Sequence, residues 1–182
     1  MYRLLFFYFL LLFSFSVKSQ KYKPIDAGSK IHFVIKNFGI NTGGDFTGLK
    51  GEVTFVPANI TSSAFNVSIS VKTVDTDNDT RDEHLRSKEY FDADKYPEIT
   101  IVSSRITQTN KTKSGWYYFT GNLSLHGITK PVSFPFTAVK KGDDYLLTSS
   151  FDINRLDFGV GSRSAVLSNT VKISLSVLAK KS

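Results

Sequence analysis

Apolar and polar residues alternate along most of the chain after the first 20 positions. Phe65, Val67 and Ile69 alternate with Asn66 and Ser68, and the run over 171–177 repeats this pattern. A period of two is typical of β-strands with one buried face. Together with these two runs, weaker versions of the pattern predict about eight strands, the others lying at 31–37, 46–56, 98–107, 115–125, 131–140 and 144–153.

One segment between the third and fourth predicted strands breaks this period. Thr80 and Glu83 have the spacing of a capping box, and good helix formers follow them until Pro97. The sequence therefore predicts a short helix over about 81–90, begun by Thr80, and a turn over 92–96.

Turn-forming residues and prolines predict where the strands begin and end. Clusters rich in Gly, Asn, Asp and Lys predict loops at 39–44, 107–115 and 140–144. Because proline cannot donate to a strand ladder, we expect a strand to begin at Pro131 and to be bulged or exposed near Pro135.

Eight antiparallel strands with one short helix indicate an all-β protein, either a barrel or a sandwich. A closed barrel of eight strands can pack solid or hold one small ligand. Aromatic residues recur at one parity of successive strands, and they form either a solid core or the wall of a cavity: Phe33, Phe55, Phe65, Phe119, Phe134, Phe136 and Phe151. Periodicity alone leaves both interpretations open.

The first residues differ from the rest of the chain. Residues 4–17 carry no charge and directly follow Arg3, which is the arrangement of a secretory signal peptide. As a helix this run spans about 21 Å, less than the ~30 Å hydrocarbon core of a bilayer. We therefore expect a signal peptide over 1–19 cleaved before Gln20, one domain over 20–182, a periplasmic or secreted location, and no integral membrane anchor.

Composition excludes several classes of protein. The 182 residues carry a formal net charge of +7 and include no cysteine, which excludes disulfides, a thiol nucleophile and zinc–thiolate sites. The basic excess is mild and spread along the chain, so nucleic acid is not an expected partner. Asp75, Asp77 and Asp79 imitate the start of an EF-hand loop, but Thr80 and Arg86 stand where that loop needs Gly and Glu. The sequence predicts no metal site and no cofactor.

Two clusters of charged residues are candidates for a binding site. Arg81, Asp82 and His84 lie on the predicted helix, and Arg155 follows a predicted strand. Solvated surface ion pairs are the simpler interpretation of each cluster. The alternative is a polar rim around an apolar cavity, where an arginine meets a phosphate or carboxylate head group.

Three segments resemble the signature segments of the YceI-like family: Arg81 to Thr100, Gly121 to Val132 and Ile153 to Gly161. Their order and spacing agree with the family, as does the opening segment Ser29 to Ile40, and the resemblance covers about 22 to 179. It implies a secreted, lipocalin-like, eight-stranded antiparallel β-barrel. Some members hold a polyisoprenoid or another long-chain amphiphile in the lumen.

The expected function is non-catalytic binding, sequestration or transport of a polyisoprenoid or fatty-acid-like lipid. We expect the polar head group to contact Arg81, Asp82, His84 and Arg155. The apolar tail is expected in a tunnel lined by Phe33, Phe55, Val67, Ile69, Leu85, Phe91, Ile101, Phe119, Leu123, Phe134, Phe136 and Phe151.

Two other functions stay open at this stage. An enzyme acting on a small amphiphile would use His84, Asp82, His126 and Arg155, with two of them within hydrogen-bond reach of one bound atom. A structural or interaction module of the cell envelope would pair through a strand edge or through an aromatic patch at 116–118. A homodimer would form in the same way.

Overall fold

The computed structural model describes residues 20–109 and 115–182. Within these residues one helix, α1 (Asp79–Arg86), and three short 3-10 helices (Pro57–Ser62, Val71–Thr73 and Arg155–Phe158) accompany nine strands of one antiparallel sheet. The strands are β1 (Lys21–Asn37), β2 (Ile40–Phe46), β3 (Lys50–Thr54), β4 (Ala64–Ser70), β5 (Glu98–Gln108), β6 (Trp116–Leu125), β7 (Ile128–Lys141), β8 (Asp144–Asn154) and β9 (Leu167–Lys181).

The sheet closes into a barrel because β1 has neighbours on both sides. β9 pairs along one side of β1, whereas β2 and β3 share the other side. Ile40 pairs with Asn37 at one end of β1, and Thr54 pairs with Lys21 at the other end. β2 and β3 thus act as one interrupted strand, which gives eight strand positions. The prediction of an all-β, eight-stranded, lipocalin-like antiparallel barrel with one short helix is confirmed.

Side chains repair the backbone where this wall of the barrel is irregular. The Asp26 carboxylate accepts hydrogen bonds from the backbone N–H groups of Gly48 and Leu49, at 3.0 and 2.9 Å, in the gap between β2 and β3. The pairing of β1 with β9 shifts register between Ile25 and Lys30. The two hydrogen bonds to Asp26 replace backbone hydrogen bonds that are missing where β2 is interrupted and the β1–β9 register shifts.

Several predicted strand boundaries are wrong. The strand expected over 31–37 begins at Lys21, and the strand expected over 46–56 is interrupted, because β2 ends at Phe46 and β3 covers Lys50–Thr54. The loop expected over 39–44 is mostly β2, and only Phe38 and Gly39 form the turn that precedes it. β7 begins at Ile128 and continues through Pro131, although Pro135 is exposed as expected. The predicted loop over 107–115 includes positions 110–114, and the predicted signal peptide covers 1–19; both stretches lie outside the described residues.

The predicted helix is present with different ends. It begins at Asp79, and Asn78, not Thr80, caps it, because the Asn78 side chain accepts a hydrogen bond from the Arg81 N–H at 2.9 Å. It ends at Arg86 instead of residue 90. The turn expected over 92–96 is present, since two backbone N–H groups, at positions 95 and 96, donate to the carbonyl of residue 92.

The strand directions give the barrel two distinct ends. The turns of β1–β2 and β6–β7, α1 and the segment between β8 and β9 lie at one end, which we call the open end. At the other end, the closed end, Phe55 packs edge-to-face against Tyr117 and Tyr145, with ring centroids 5.1 and 4.9 Å apart. Phe55 and its neighbours form a buried apolar cluster. A second cluster lies beside α1 and includes Phe46 and Phe91.

Candidate functional site

A cavity of about 650 Å³ occupies the barrel between these two clusters. Its size lies inside the usual range of about 300–1,000 Å³ for sites that hold small molecules. Its wall is mainly apolar, and most of its polar lining residues lie at the open end, including residues of α1 and of the segment over 160–167. This arrangement combines an apolar interior with a polar mouth.

The structure places eleven of the twelve residues of the predicted tunnel in the cavity wall; only Phe55 is absent from it. Phe55 is only 1% exposed and belongs to the closed-end cluster, so it lies below the cavity and supports its floor. Whether the other eleven bind a ligand stays a prediction.

β9 contributes a part of the wall that sequence reasoning did not assign to the site. Val171, Ile173, Leu175 and Val177 all line the cavity. Their alternation is among the clearest in the sequence, so the signal was present. The alternating pattern did not indicate that β9 pairs with β1, closes the barrel and therefore faces the same interior.

The helix α1 and the turn after it form one side of the cavity. Leu85 and Phe91 line the cavity, and Phe91 packs edge-to-face against Phe46 with ring centroids 5.8 Å apart. Phe46 in turn contacts Phe33 at 5.5 Å. A helix of this length is not stable alone in water, so these contacts hold it at the open end.

Arg81 and Asp82 are linked through Thr76, and only one of the two charges faces the cavity. The Arg81 Nε–H donates to the Thr76 hydroxyl oxygen at 2.8 Å, and Arg81 lines the cavity. Asp82 is 5% exposed, does not belong to the wall, and accepts a hydrogen bond from the Thr76 N–H at 3.0 Å. Asp82 therefore anchors the start of α1 rather than facing the cavity as predicted.

Arg155 is a buried cation that holds the segment between β8 and β9. It is 3% exposed and donates to the carbonyl oxygens of Val160, Ser162 and Ser168 at 2.8, 2.8 and 2.9 Å, and to Asn169 Oδ1 at 3.3 Å. No Asp or Glu of the described residues forms a salt bridge with it. It lines the cavity, but most of its donors are already used.

The charged residues of the wall are mainly basic. Arg163, which the sequence analysis did not select, is exposed and lines the mouth together with Arg81 and Arg155. Glu89 is the one acidic residue among the lining residues, and its carboxylate lies 3.2 Å from His84 Nε2. The mouth therefore favours a negatively charged or strongly polar group.

Of the four candidate catalytic residues, His84 and Arg155 line the cavity and the other two do not. His126 and Asp82 are absent from the cavity wall, and His126 instead contacts the Phe158 carbonyl and the ring of Tyr96. The described residues contain no cluster of His, Asp or Glu able to hold a metal ion. They also contain no helix both long and apolar enough to span a bilayer.

The aromatic patch over 116–118 is divided between the two faces of β6. Tyr117 points inward and is 7% exposed, whereas Trp116 and Tyr118 point outward and are 41% and 38% exposed. Outward aromatic residues are compatible with pairing of two chains, and the homodimer stays a prediction.

A closed antiparallel barrel with an apolar cavity and a polar mouth defines a lipocalin-like fold. The chain belongs to the YceI-like family, because the sequence model of the YceI-like domain matches residues 22–179. A UPF0312 protein of Yersinia enterocolitica is 34% identical over 154 residues, covering 81% of this chain and 78% of the relative. One from Pectobacterium carotovorum is 36% identical over 115 residues, and this match covers 63% of the chain and 58% of that relative.

Solved structures with a similar fold are consistent with membership of this family. BcnA of Burkholderia cenocepacia has a TM-score of 0.79 at 27% identity, with 85% of this chain and 98% of that chain covered. A polyisoprenoid binding domain from Saccharophagus degradans has a TM-score of 0.71 at 15% identity, with 88% and 98% covered. At that identity the second likeness concerns the fold alone.

Proposed function

We propose that this protein binds a long-chain amphiphile, a polyisoprenoid or a fatty-acid-like lipid, and sequesters or transports it outside the cytoplasm without chemical change. The observation that carries this proposal is the apolar cavity of about 650 Å³ with a basic mouth. The fold shared with a polyisoprenoid binding domain supports it. The location rests on the apolar run over 4–17 behind Arg3.

The size of the cavity sets how much of a hydrocarbon chain it can hold. At roughly 30 Å³ per group of the size of a water molecule, it holds about 20 such groups. Burial of about 15 methylenes contributes on the order of 12 kcal/mol, against an association cost of about 4–15 kcal/mol. Only a chain that fills most of the cavity is therefore bound tightly, which favours long ligands over short ones.

The mouth favours an anionic head group on this ligand. Arg163 is exposed and has no side-chain partner among the described residues. It is therefore available for a phosphate or carboxylate, whereas Arg155 is occupied by backbone carbonyls. We expect Arg163→Gln to weaken binding of a prenyl phosphate by about tenfold or more, since a hydrogen bond to a charged group contributes about 1.5–3 kcal/mol.

The head-group assignment is checked by titrating a prenyl phosphate and the matching prenyl alcohol into the wild type, Arg163→Gln and a control variant. Arg105→Gln on β5 is the matched control, because Arg105 is exposed and lies outside the cavity wall. The alcohol should bind the three proteins alike. Equal affinity of Arg163→Gln and the wild type for the phosphate would contradict a role for Arg163.

Two adjacent residues of β5 give the sharpest test of the cavity itself. Ile101 lines the cavity, whereas Val102 points outward and is 41% exposed. Ile101→Trp should fill part of the cavity and weaken binding of a fluorescent long-chain fatty acid by about tenfold or more, because displaced methylenes lose about 0.8 kcal/mol each. Val102→Trp should bind it as the wild type does. Equal affinity for all three proteins would refute binding in the lumen.

A further inference from the structure

The β1–β2 turn at the open end carries apolar side chains that the fold leaves in solvent. Phe38 is 73% exposed and Ile40 is 70% exposed, more than any other large apolar residue of the described chain. Val166, 40% exposed, lies beside them because the Phe38 N–H donates to its carbonyl at 2.9 Å. We call Phe38, Ile40 and Val166 the apolar tip. Clustered, exposed apolar side chains mark interaction surfaces.

The turn itself does not explain the presence of Phe38. Asn37 pairs with Ile40, so Phe38 and Gly39 form a two-residue turn in which both have positive φ, 50° and 77°. Turns of this kind favour Asn–Gly, because a bulky side chain is strained at positive φ. Phe38 is thus unfavourable both for the backbone and for solvation, and a contact outside the folded chain would account for it.

The two segments that carry the apolar tip are basic, and Asp152 of β8 pairs with Lys172 across the sheet. The segments over 31–42 and 160–172, which build this side of the open end, contain no Asp or Glu. They contain Lys36, Arg163 and Lys172, all exposed and without a salt bridge among the described residues. The acidic residue at the mouth, Glu89, lies next to the second segment, because the Gly161 N–H donates to its carbonyl at 3.0 Å, and its carboxylate faces His84. Apolar side chains with basic neighbours complement an anionic membrane surface.

We infer that the open end docks on an anionic lipid bilayer, with Phe38 and Ile40 inserted among the head groups and Lys36 and Arg163 against the lipid phosphates. The inference rests on the proposed function, because docking serves a protein that exchanges a lipid through its mouth. Val166 of the apolar tip and the adjacent Asn37 line the cavity. Docking in this orientation places the mouth against the bilayer. A lipid chain then passes between bilayer and cavity without exposing its methylenes to water.

A second copy of the chain fits this surface less well. Two open ends meeting about a two-fold axis would bring the same basic residues together. Like charges brought together across an interface are unfavourable. An anionic bilayer instead supplies the charge that the tip lacks.

Vesicle sedimentation tests the inference with the protein exported by its host, after its N-terminus has been sequenced. The vesicles contain phosphatidylcholine alone or with about 30% phosphatidylglycerol. We expect binding about tenfold tighter to the anionic vesicles. The double variant Phe38→Asn/Ile40→Thr should lose about tenfold or more of this binding. Val139→Thr, which removes an apolar surface of 48% exposure from β7, should bind as the wild type does.

Folding and ligand binding are measured on the same proteins. Because Asn is favoured at this turn position, the double variant should have a Tm equal to or above that of the wild type. Its affinity for a fluorescent fatty acid in the absence of vesicles should be unchanged. The wild type and the double variant could both fail to bind the fatty acid while vesicle binding still depended on Phe38 and Ile40. That result would support docking and contradict the proposed ligand of the cavity.

Two results would overturn docking. In the first, the wild type fails to sediment with anionic vesicles. In the second, the double variant sediments as well as the wild type does, and analytical ultracentrifugation then shows whether the wild type forms a dimer that the double variant abolishes. Such a dimer would assign the apolar tip to a second copy of the chain.

Discussion

Replacement of Arg155 by Met tests how the open end keeps its shape. Met has a similar length and can fill the same buried space, but it cannot donate hydrogen bonds. The substitution removes four hydrogen bonds to the segment over 160–169, three of them to backbone carbonyls. Hydrogen bonds to a charged group contribute about 1.5–3 kcal/mol each, which would sum to roughly 6–12 kcal/mol if they were additive.

Two effects reduce this sum. Burial of the cation carries a desolvation penalty of several kcal/mol that Met does not have. Ser162 and Asn169 are exposed, so water can solvate their oxygens after the change. The carbonyl of Val160, whose residue is 6% exposed, is left without a partner at a cost of about 1–3 kcal/mol. We therefore expect a net loss of about 2 kcal/mol and a fall in Tm of about 4–8 °C.

Hydrogen exchange followed by mass spectrometry reports the segment directly. A loss of about 2 kcal/mol should speed exchange of the amides over 160–169 by about 30-fold. Arg105→Met makes the same chemical change at an exposed position of β5 and should alter stability by less than about 0.5 kcal/mol. If Arg155→Met left both the Tm and this exchange unchanged, Arg155 would not hold the open end.

Two further predictions concern stability. Burial, with a smaller contribution from the neighbouring Tyr145, raises the pKa of Tyr22 and of Tyr117 above the ordinary value of about 10. Their contribution to stability is therefore present below about pH 10 and is lost as the pH rises further. Urea unfolding between pH 9 and 11 should show this fall in the wild type and a flatter profile in Tyr22→Phe/Tyr117→Phe; identical profiles would contradict the assignment. Asn78→Ala should destabilise the protein by about 1 kcal/mol because it removes the cap of α1, and Thr80→Ala should cost less; the reverse order in Tm would restore Thr80 as the cap.

The strands with alternating apolar and polar residues were predictable from the sequence, because each has one face toward the barrel interior and the other toward solvent. The missed strand, β2, contains Gly43 and Gly44, and glycine in a strand usually indicates a turn or a close approach. Here the approach is close: a Cβ on Gly43 would lie 2.6 Å from the Phe33 carbonyl oxygen, and one on Gly44 would lie 2.5 Å from the Thr76 side chain. Such packing depends on residues distant in sequence, so the local pattern indicated a loop.

The polar part of the candidate site was harder to predict than its apolar wall. Residue type and spacing placed Arg81 and Arg155 at the mouth, but they could not show that Arg155 donates to backbone carbonyls five to thirteen residues away. Arg163 lies in a segment without a periodic pattern, so nothing local distinguished it. Asp82 was selected for its charge, whereas its burial beside Thr76 depends on the fold.

Native mass spectrometry of the protein purified from its own host without detergent tests the central claim most directly. The account predicts a stoichiometric long-chain amphiphile that stays bound under native conditions and is released by denaturing solvent. Its occupancy should fall in Ile101→Trp and stay unchanged in Val102→Trp. A wild-type protein of bare polypeptide mass, with no lipid in its organic extract, would contradict the claim that the barrel carries a lipid.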